Sequence, residues 1–217
     1  MDATRSGALV IACGALAHEI SALRKLNGWE ALDVQCLPPE LHNTPDKIPA
    51  RVREAIEAAR ARYARIFVAY ADCGTGGRLD ALLEAEGIER LPGAHCYQFF
   101  ATAQRFNELA EQEPGTFYLT DFLVRHFERL VAQTLGIDRH PELIGEYFRN
   151  YRRVVYLVQD EANSDVEHAR AIAARLGLEF SVHKTGYGEL ATSLQRVAAD
   201  ATPAKHALTE ERLAWPR

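Results

Sequence analysis

Residues 65–77 read Arg-Ile-Phe-Val-Ala-Tyr-Ala-Asp-Cys-Gly-Thr-Gly-Gly. The apolar run with β-branched residues predicts a strand over Arg65 to Tyr70, and the glycines behind it predict a tight turn into a helix. The same grammar recurs outward along the chain. Strands are expected at Ala8 to Cys13, Leu32 to Leu37, Ile88 to Leu91, Phe117 to Leu119, Arg153 to Val158 and Leu178 to His183. Segments of helical period lie between them: Ala15 to Leu26, Asp46 to Tyr63, Leu79 to Glu86, Gln98 to Gln112, Asp121 to Leu135, Pro141 to Tyr151, Ser164 to Leu176 and Glu189 to Ala199. Short strands alternating with longer helices predict an α/β fold, an open and mainly parallel sheet with helices on both faces, three-layered and Rossmann-like or chelatase-like. Local punctuation agrees: Thr120 is placed to cap the helix opening at Asp121, Ser164 to cap a later one with Glu167 as its box partner, and Gly177 to close that helix.

Residues 1–200 are expected to form one α/β domain. A break near Gly136 to Arg139 either opens a C-terminal subdomain at about residue 140 or leaves the last two strands in the same sheet. The stretch from residue 201 to 217 is polar, carries Pro203 and Pro216, and reads as an appended tail.

Composition narrows the function classes. With 47% hydrophobic and 25% charged residues the chain is of ordinary globular type, and no apolar run is long enough to cross a bilayer. Met1 to Gly7 has no apolar signal core, and four cysteines in 217 residues are too sparse for a disulfide-stapled secreted domain. A cytoplasmic location is expected, with the cysteines as thiols. The formal charge of −5 argues against nucleic acid. The best basic cluster, Arg149, Arg152 and Arg153, is interleaved with Tyr147, Phe148 and Tyr151 and equally suits a helix face meeting a neighbour.

In open parallel sheets, ligands bind outside the carboxyl ends of the strands. Cys13 ends the first predicted strand, Cys36 lies near the end of the second, Cys73 follows the third, and His95-Cys96 follows the fourth. This clustering at one edge favours a shared site. Cys13, Cys73 and Cys96, with His95 or His42 as a nitrogen donor, suit a soft tetrahedral metal site, zinc first and iron second. Alternatively, one cysteine is a nucleophile with His95 as its base, or the thiols only pack. Cys36 ranks below the other three because it alternates with Val34 and so points toward the core.

The loop Asp72-Cys73-Gly74-Thr75-Gly76-Gly77 permits close backbone approach to a ligand, so Gly74, Thr75, Gly76 and Gly77 are candidate substrate contacts. A plain strand-to-helix turn explains the same glycines. No Gly-Lys-Ser/Thr ending and no dinucleotide fingerprint follow, so no nucleotide cofactor is indicated. Glu19 and Asp121 are candidate catalytic acids, each with helix-terminus stabilisation as its alternative role. Tyr187, in Gly186-Tyr187-Gly188, is a candidate pocket wall.

The segments Cys13-Gly14-Ala15-Leu16, Leu41-His42-Asn43, Asp72-Cys73-Gly74-Thr75-Gly76-Gly77, Pro92-Gly93-Ala94-His95-Cys96, Pro114-Gly115-Thr116 and Leu119-Thr120-Asp121-Phe122 resemble an uncharacterised domain-of-unknown-function family over most of residues 8–195. Members of that family occur in methanogens and bacteria and often accompany corrinoid-dependent methyltransferase systems for methylated amines. The resemblance implies one-carbon or methylated-amine metabolism, with a small-molecule substrate and a corrinoid protein or methyltransferase as partner; from charge and hydropathy, neither nucleic acid nor membrane is expected as a partner. It puts emphasis on Cys13, Cys73, His95 and Cys96.

Overall fold

The computed structural model describes residues 7–201, so the expected tail, residues 202–217, lies outside the described residues; Ala201 itself closes a helix. Among the described residues seven strands are arranged in two parallel sheets rather than in one. The first contains β1 (Ala8–Cys13), β2 (Leu32–Leu37), β3 (Arg65–Ala69) and β4 (Glu89–Arg90) in the order β2-β1-β3-β4. The second contains β5 (Thr116–Thr120), β6 (Arg153–Val158) and β7 (Glu179–Lys184) in that order. The two sheets therefore separate between β4 and β5, and residues 136–139 lie between β5 and β6 of the second.

The strand compositions explain their places. Every residue of β1 is buried, the near-continuous apolar pattern of a strand covered on both faces. β2, at one edge, is buried only at its two ends, and β4, at the other edge, is two residues long. In β6 the two faces feed different clusters: Val154, Tyr156 and Val158 join Phe127, Ile172 and Leu176, whereas Val155 and Leu157 join Leu109 and Tyr118. Both sheets are thus enclosed by helices, giving a three-layer α/β architecture.

The helices are α1 (Ala17–Asn27), α2 (Ile48–Ala59), α3 (Arg78–Glu86), α4 (Cys96–Ala101), α5 (Ala103–Gln112), α6 (Asp121–Arg125), α7 (Gln133–Leu135), α8 (Ile144–Tyr147), α9 (Val166–Leu176) and α10 (Gly188–Ala201). The single helix expected over Gln98 to Gln112 breaks at Thr102, whose φ of 69° no helix accommodates and whose hydroxyl caps α5 by accepting from the Arg105 N–H. The helix expected over Asp121 to Leu135 breaks after Arg125 and resumes through a π-helical turn, Glu128–Ala132. Thr120 and Gly177 act as the expected caps, but α9 is capped by Asp165, which accepts from the His168 N–H at 2.9 Å, while the Ser164 hydroxyl donates to Glu161 O.

Two elements cross between the halves. α10 leaves the second sheet and packs on the first, adding Leu190, Leu194 and Val197 to the core formed by β1, β3 and α2. Its start is pressed against the end of α4: a Cβ on Gly188 would lie 2.3 Å from the carbonyl oxygens of Phe99 and Phe100. α4 itself places Phe99 and Phe100 in the first core and Ala101 in the cluster beneath the second sheet.

Candidate functional site

The carboxyl ends of β1, β2, β3 and β4 bring four loops together. Cys13 ends β1 and caps the turn that follows, its sulfur accepting from the Ala15 N–H at 3.4 Å. Gly14 next to it allows the exit of β2 to pass directly overhead, since a Cβ there would lie 2.8 Å from Pro39 Cδ and 2.9 Å from Leu37 O. The following 3-10 turn, Pro39–Asn43, then carries His42 back over β1, where its Nδ1 stands 3.6 Å from Cys13 Sγ.

The other two loops are tied to each other. Backbone N–H groups of Asp72 and Cys73 donate to Gly93 O at 3.0 Å and Ala94 O at 2.8 Å, which sets Cys73 beside the start of α4 and hence beside Cys96. Cys73 holds φ at 51°, a left-handed conformation uncommon outside glycine, so the surrounding bonds impose its backbone. A Cβ on Gly74 would lie 3.6 Å from the ring of Pro45, so this pair of loops runs close beside the one that bears His42.

The electrostatics describe one shared pocket. Burial pushes the Cys13 thiol up to about 12 and the Cys73 thiol up to about 11, and it raises Cys96 well above the ordinary thiol value. Cys73 adds a repulsive contribution at Cys13, and both of these add one at Cys96. Desolvation lowers the pKa of His42, with the charge of His95 acting in the same direction, although the residue as a whole is exposed. Near neutral pH the pocket therefore holds thiols and a neutral imidazole with a free lone pair. Tyr70, just beyond β3 and 1% exposed, has a buried hydroxyl without a hydrogen-bond partner, and burial, with the charge of Cys13 acting in the same direction, pushes its phenol well above the ordinary value. The sequence reading missed it because an aromatic residue at a strand exit looks like a core filler.

The remaining candidates stand elsewhere. His95 precedes α4 in an exposed position without a side-chain capping bond, its ring 6.3 Å from that of Tyr97, so His42 and not His95 is the imidazole over Cys13. Cys36 is exposed. In the glycine loop the Asp72 carboxylate accepts from Thr75 Oγ1 at 2.6 Å, Gly76 N at 3.2 Å and Gly77 N at 2.9 Å, bonds that hold its carboxyl below the usual range. Thr75 is fully buried and also accepts from Leu79 N. The donors expected to meet a substrate at Thr75, Gly76 and Gly77 thus turn inward onto Asp72, and Gly74 faces Pro45.

Glu19, Asp121 and Tyr187 gather where the two sheets meet, apart from the thiols. Asp121 is 3% exposed and both its oxygens are engaged: Tyr156 Oη donates at 2.7 Å, Gln159 N at 3.2 Å and Asp160 N at 2.8 Å. Its own N–H donates to Gln159 Oε1 at 2.8 Å, so it clamps the end of β5 to the end of β6. Glu19, 4% exposed, lies 3.6 Å from Arg125 Nη2 through one oxygen while Oε2 is buried without a partner. Burial raises its pKa, with Arg125 and His18 opposing. Tyr187 is half-buried and feels the charges of Asp160, Glu19 and Asp121.

Cys13 and His42 are in contact, yet among the described residues no three His, Cys, Asp or Glu side chains are grouped closely enough to hold one ion. A hollow of about 750 Å³ lies at the opposite, amino edge of the first sheet, lined by Arg60, Arg65, Glu86, Glu89 and Asp200. Its charges are already matched, Arg60 with Glu86 and Arg65 with both Glu89 and Asp200, so it presents no unpaired group to a ligand.

Compared with known families, residues 36–194 match the one described as protein of unknown function (DUF1638). The chain belongs to that family. The DUF1638 match takes in His42, Cys73, Cys96 and Asp121, whereas β1 with Cys13 precedes it. No curated protein and no solved structure matches the chain. Among the described residues no helix is long and apolar enough to cross a membrane.

Proposed function

We propose that this DUF1638 chain is a cytoplasmic metal-binding protein, taking zinc first and iron second, with Cys13, His42, Cys73 and Cys96 as donors. The carrying observation is the 3.6 Å approach of Cys13 Sγ to His42 Nδ1. Two adjacent ligands of a tetrahedral ion, with metal distances of about 2.3 Å to sulfur and about 2.0 Å to nitrogen, stand about 3.5 Å apart, so this pair already has the spacing of one tetrahedral edge. The donor chemistry also fits. His42 is neutral, Cys13 feels the charge of Cys73, and Cys96 feels both. His95 is left outside the set.

A bound ion would supply a Lewis-acid centre that holds a thiol or water deprotonated near neutral pH. The residues themselves must release protons for it, because burial keeps all three thiols protonated; uptake should therefore strengthen as pH rises. Action on a small molecule of one-carbon or methylated-amine metabolism, with a corrinoid protein or methyltransferase as partner, is proposed from the family resemblance. The 3.6 Å contact favours one second reading, a metal-free cysteine enzyme in which His42 is the base for Cys13.

Elemental analysis of untagged protein, with thiols counted before and after chelation, separates these readings. Near-stoichiometric zinc or iron with thiols unmasked by the chelator supports the metal site, and Cys73→Ala should then lose the metal; a variant that keeps it in full removes Cys73 from the donor set. Metal-free protein with one rapidly alkylated thiol supports the dyad. Metal-free protein with slow thiols that still binds a corrinoid protein supports a non-catalytic accessory role.

A further inference from the structure

The turn that carries His42 is gripped on one of its faces by the second half of the chain. Pro39–Asn43 is a 3-10 turn, in which residues three apart eclipse, so Glu40 and Asn43 share a face and His42 projects about a third of a turn away from it. On the shared face Glu40 pairs with Arg129, and Asn43 Nδ2 donates to Thr134 Oγ1 at 3.3 Å. On the other side the His42 imidazole meets Cys13 Sγ at 3.6 Å.

The two gripping residues are five apart, a spacing that an uninterrupted α-helix does not bring into line. The π turn Glu128–Ala132 does so, because its i→i+5 closure carries the Gln133 N–H onto Glu128 O. Thr134 accordingly lies against the turn before it, its hydroxyl donating to Arg129 O at 3.5 Å. The extra residue of the π turn thus sets Arg129 and Thr134 opposite Glu40 and Asn43. Arg125, earlier in the same run, reaches Glu19 of α1 at 3.6 Å, so contacts with the first half recur along it.

We infer that Arg129 and Thr134 are positioning residues for His42, holding its imidazole over Cys13 from the second half, so that the site is completed across the two sheets. This rests on the Cys13–His42 contact that carries the proposed function and holds with or without a bound ion. It ties the site to the way the halves meet: parting of the π turn from the 3-10 turn frees the imidazole.

The imidazole nitrogen NMR spectrum of the reduced, chelated full chain, with its histidines isotope-labelled, tests this at one fixed pH. The His42 signals are assigned by their loss in His42→Gln, and Cys13→Ala should move the Nδ1 resonance toward its free-imidazole position. An exposed contact of this kind shifts a local equilibrium by up to about fivefold. Arg129→Glu combined with Thr134→Val should therefore raise the detached share of His42 by about tenfold and draw the resonance the same way. Arg129→Glu alone should move it less far, and adding Glu40→Arg should return it. Arg51→Ala, which breaks an exposed ion pair within α2, should leave it unmoved. A resonance that the Arg129 and Thr134 substitutions leave in place, or that the charge exchange does not return, overturns the positioning role, as does an equal movement in Arg51→Ala. If Cys13→Ala leaves the resonance in place, the contact itself is absent and the proposed function falls together with this inference.

Discussion

The carboxyl edges of the two sheets are built alike and finished differently. In the second sheet, Asp121 collects Tyr156, Gln159 and Asp160, so its carboxylate has no oxygen to spare. In the first, Cys13 and Cys73 are buried and Cys96 half-buried, His42 leans over Cys13, and the Tyr70 hydroxyl is buried without a partner. Buried polar groups are ordinarily satisfied internally, and the Asp121 edge meets that rule through its own backbone and side chains, whereas at the first edge the Tyr70 hydroxyl does not. The contrast separates polar residues that build the fold from those available for chemistry.

Substitutions can break or sharpen that contrast. The largest effect is expected from Asp121→Ala, which strands the Tyr156 hydroxyl and two backbone N–H groups; unfolding in urea should show a loss of about 3–4 kcal/mol. A loss below 1 kcal/mol, roughly the value of an ordinary surface change, would mean the clamp is not structural. Gly14→Ala should come next, at about 1–3 kcal/mol, because the new methyl meets Pro39 and Leu37 O and must push the His42 turn outward. The same variant should weaken metal uptake, and a variant binding metal as wild type does would detach the turn from the site.

Cys73→Ala should cost only about 1 kcal/mol in chelated protein while abolishing metal retention; a large loss of stability without metal would make Cys73 a packing residue instead. The smallest effect concerns Glu19. Burial raises its pKa, so its stabilising, protonated form is complete below the unfolded value of 4.5 and is lost as pH rises through the folded value. Arg125 and His18 offset part of that loss, and Asp121 adds to it. Glu19→Gln should therefore melt a few degrees higher than wild type at pH 8, with the gain shrinking toward pH 4.5. A variant that melts lower at pH 8 would show that the contact with Arg125 outweighs the burial.

The strands were legible because parallel strands covered on both faces read as unbroken apolar runs; β1 and β6 match their expected bounds of Ala8 to Cys13 and Arg153 to Val158. Their division into two sheets was not, since the pattern that buries β5 would serve equally well beside β4. The break at Thr102 was hidden by an apolar period that runs through it. At the site, the positions of Cys13, Cys73 and Cys96 after successive strands were readable, because parallel topology sends all such loops to one edge. The choice between His42 and His95 was not, because it depends on a single 3-10 turn folding back over β1. Nor do the glycines of the following loop announce that Asp72, directly before Cys73, accepts from the Gly76 and Gly77 N–H groups.

The return of α10 to the first sheet has a consequence for biosynthesis. Leu190, Leu194 and Val197 cover part of the core that β1 and β3 begin, yet they are translated more than a hundred residues later. A nascent chain that has released β1 to β4 from the ribosome still lacks the helix that covers part of their apolar face, and the whole second sheet is made before that helix follows. The first core is therefore closed by the last element of the described chain, so a ribosome stalled before residue 188 would display a sheet still missing part of its cover.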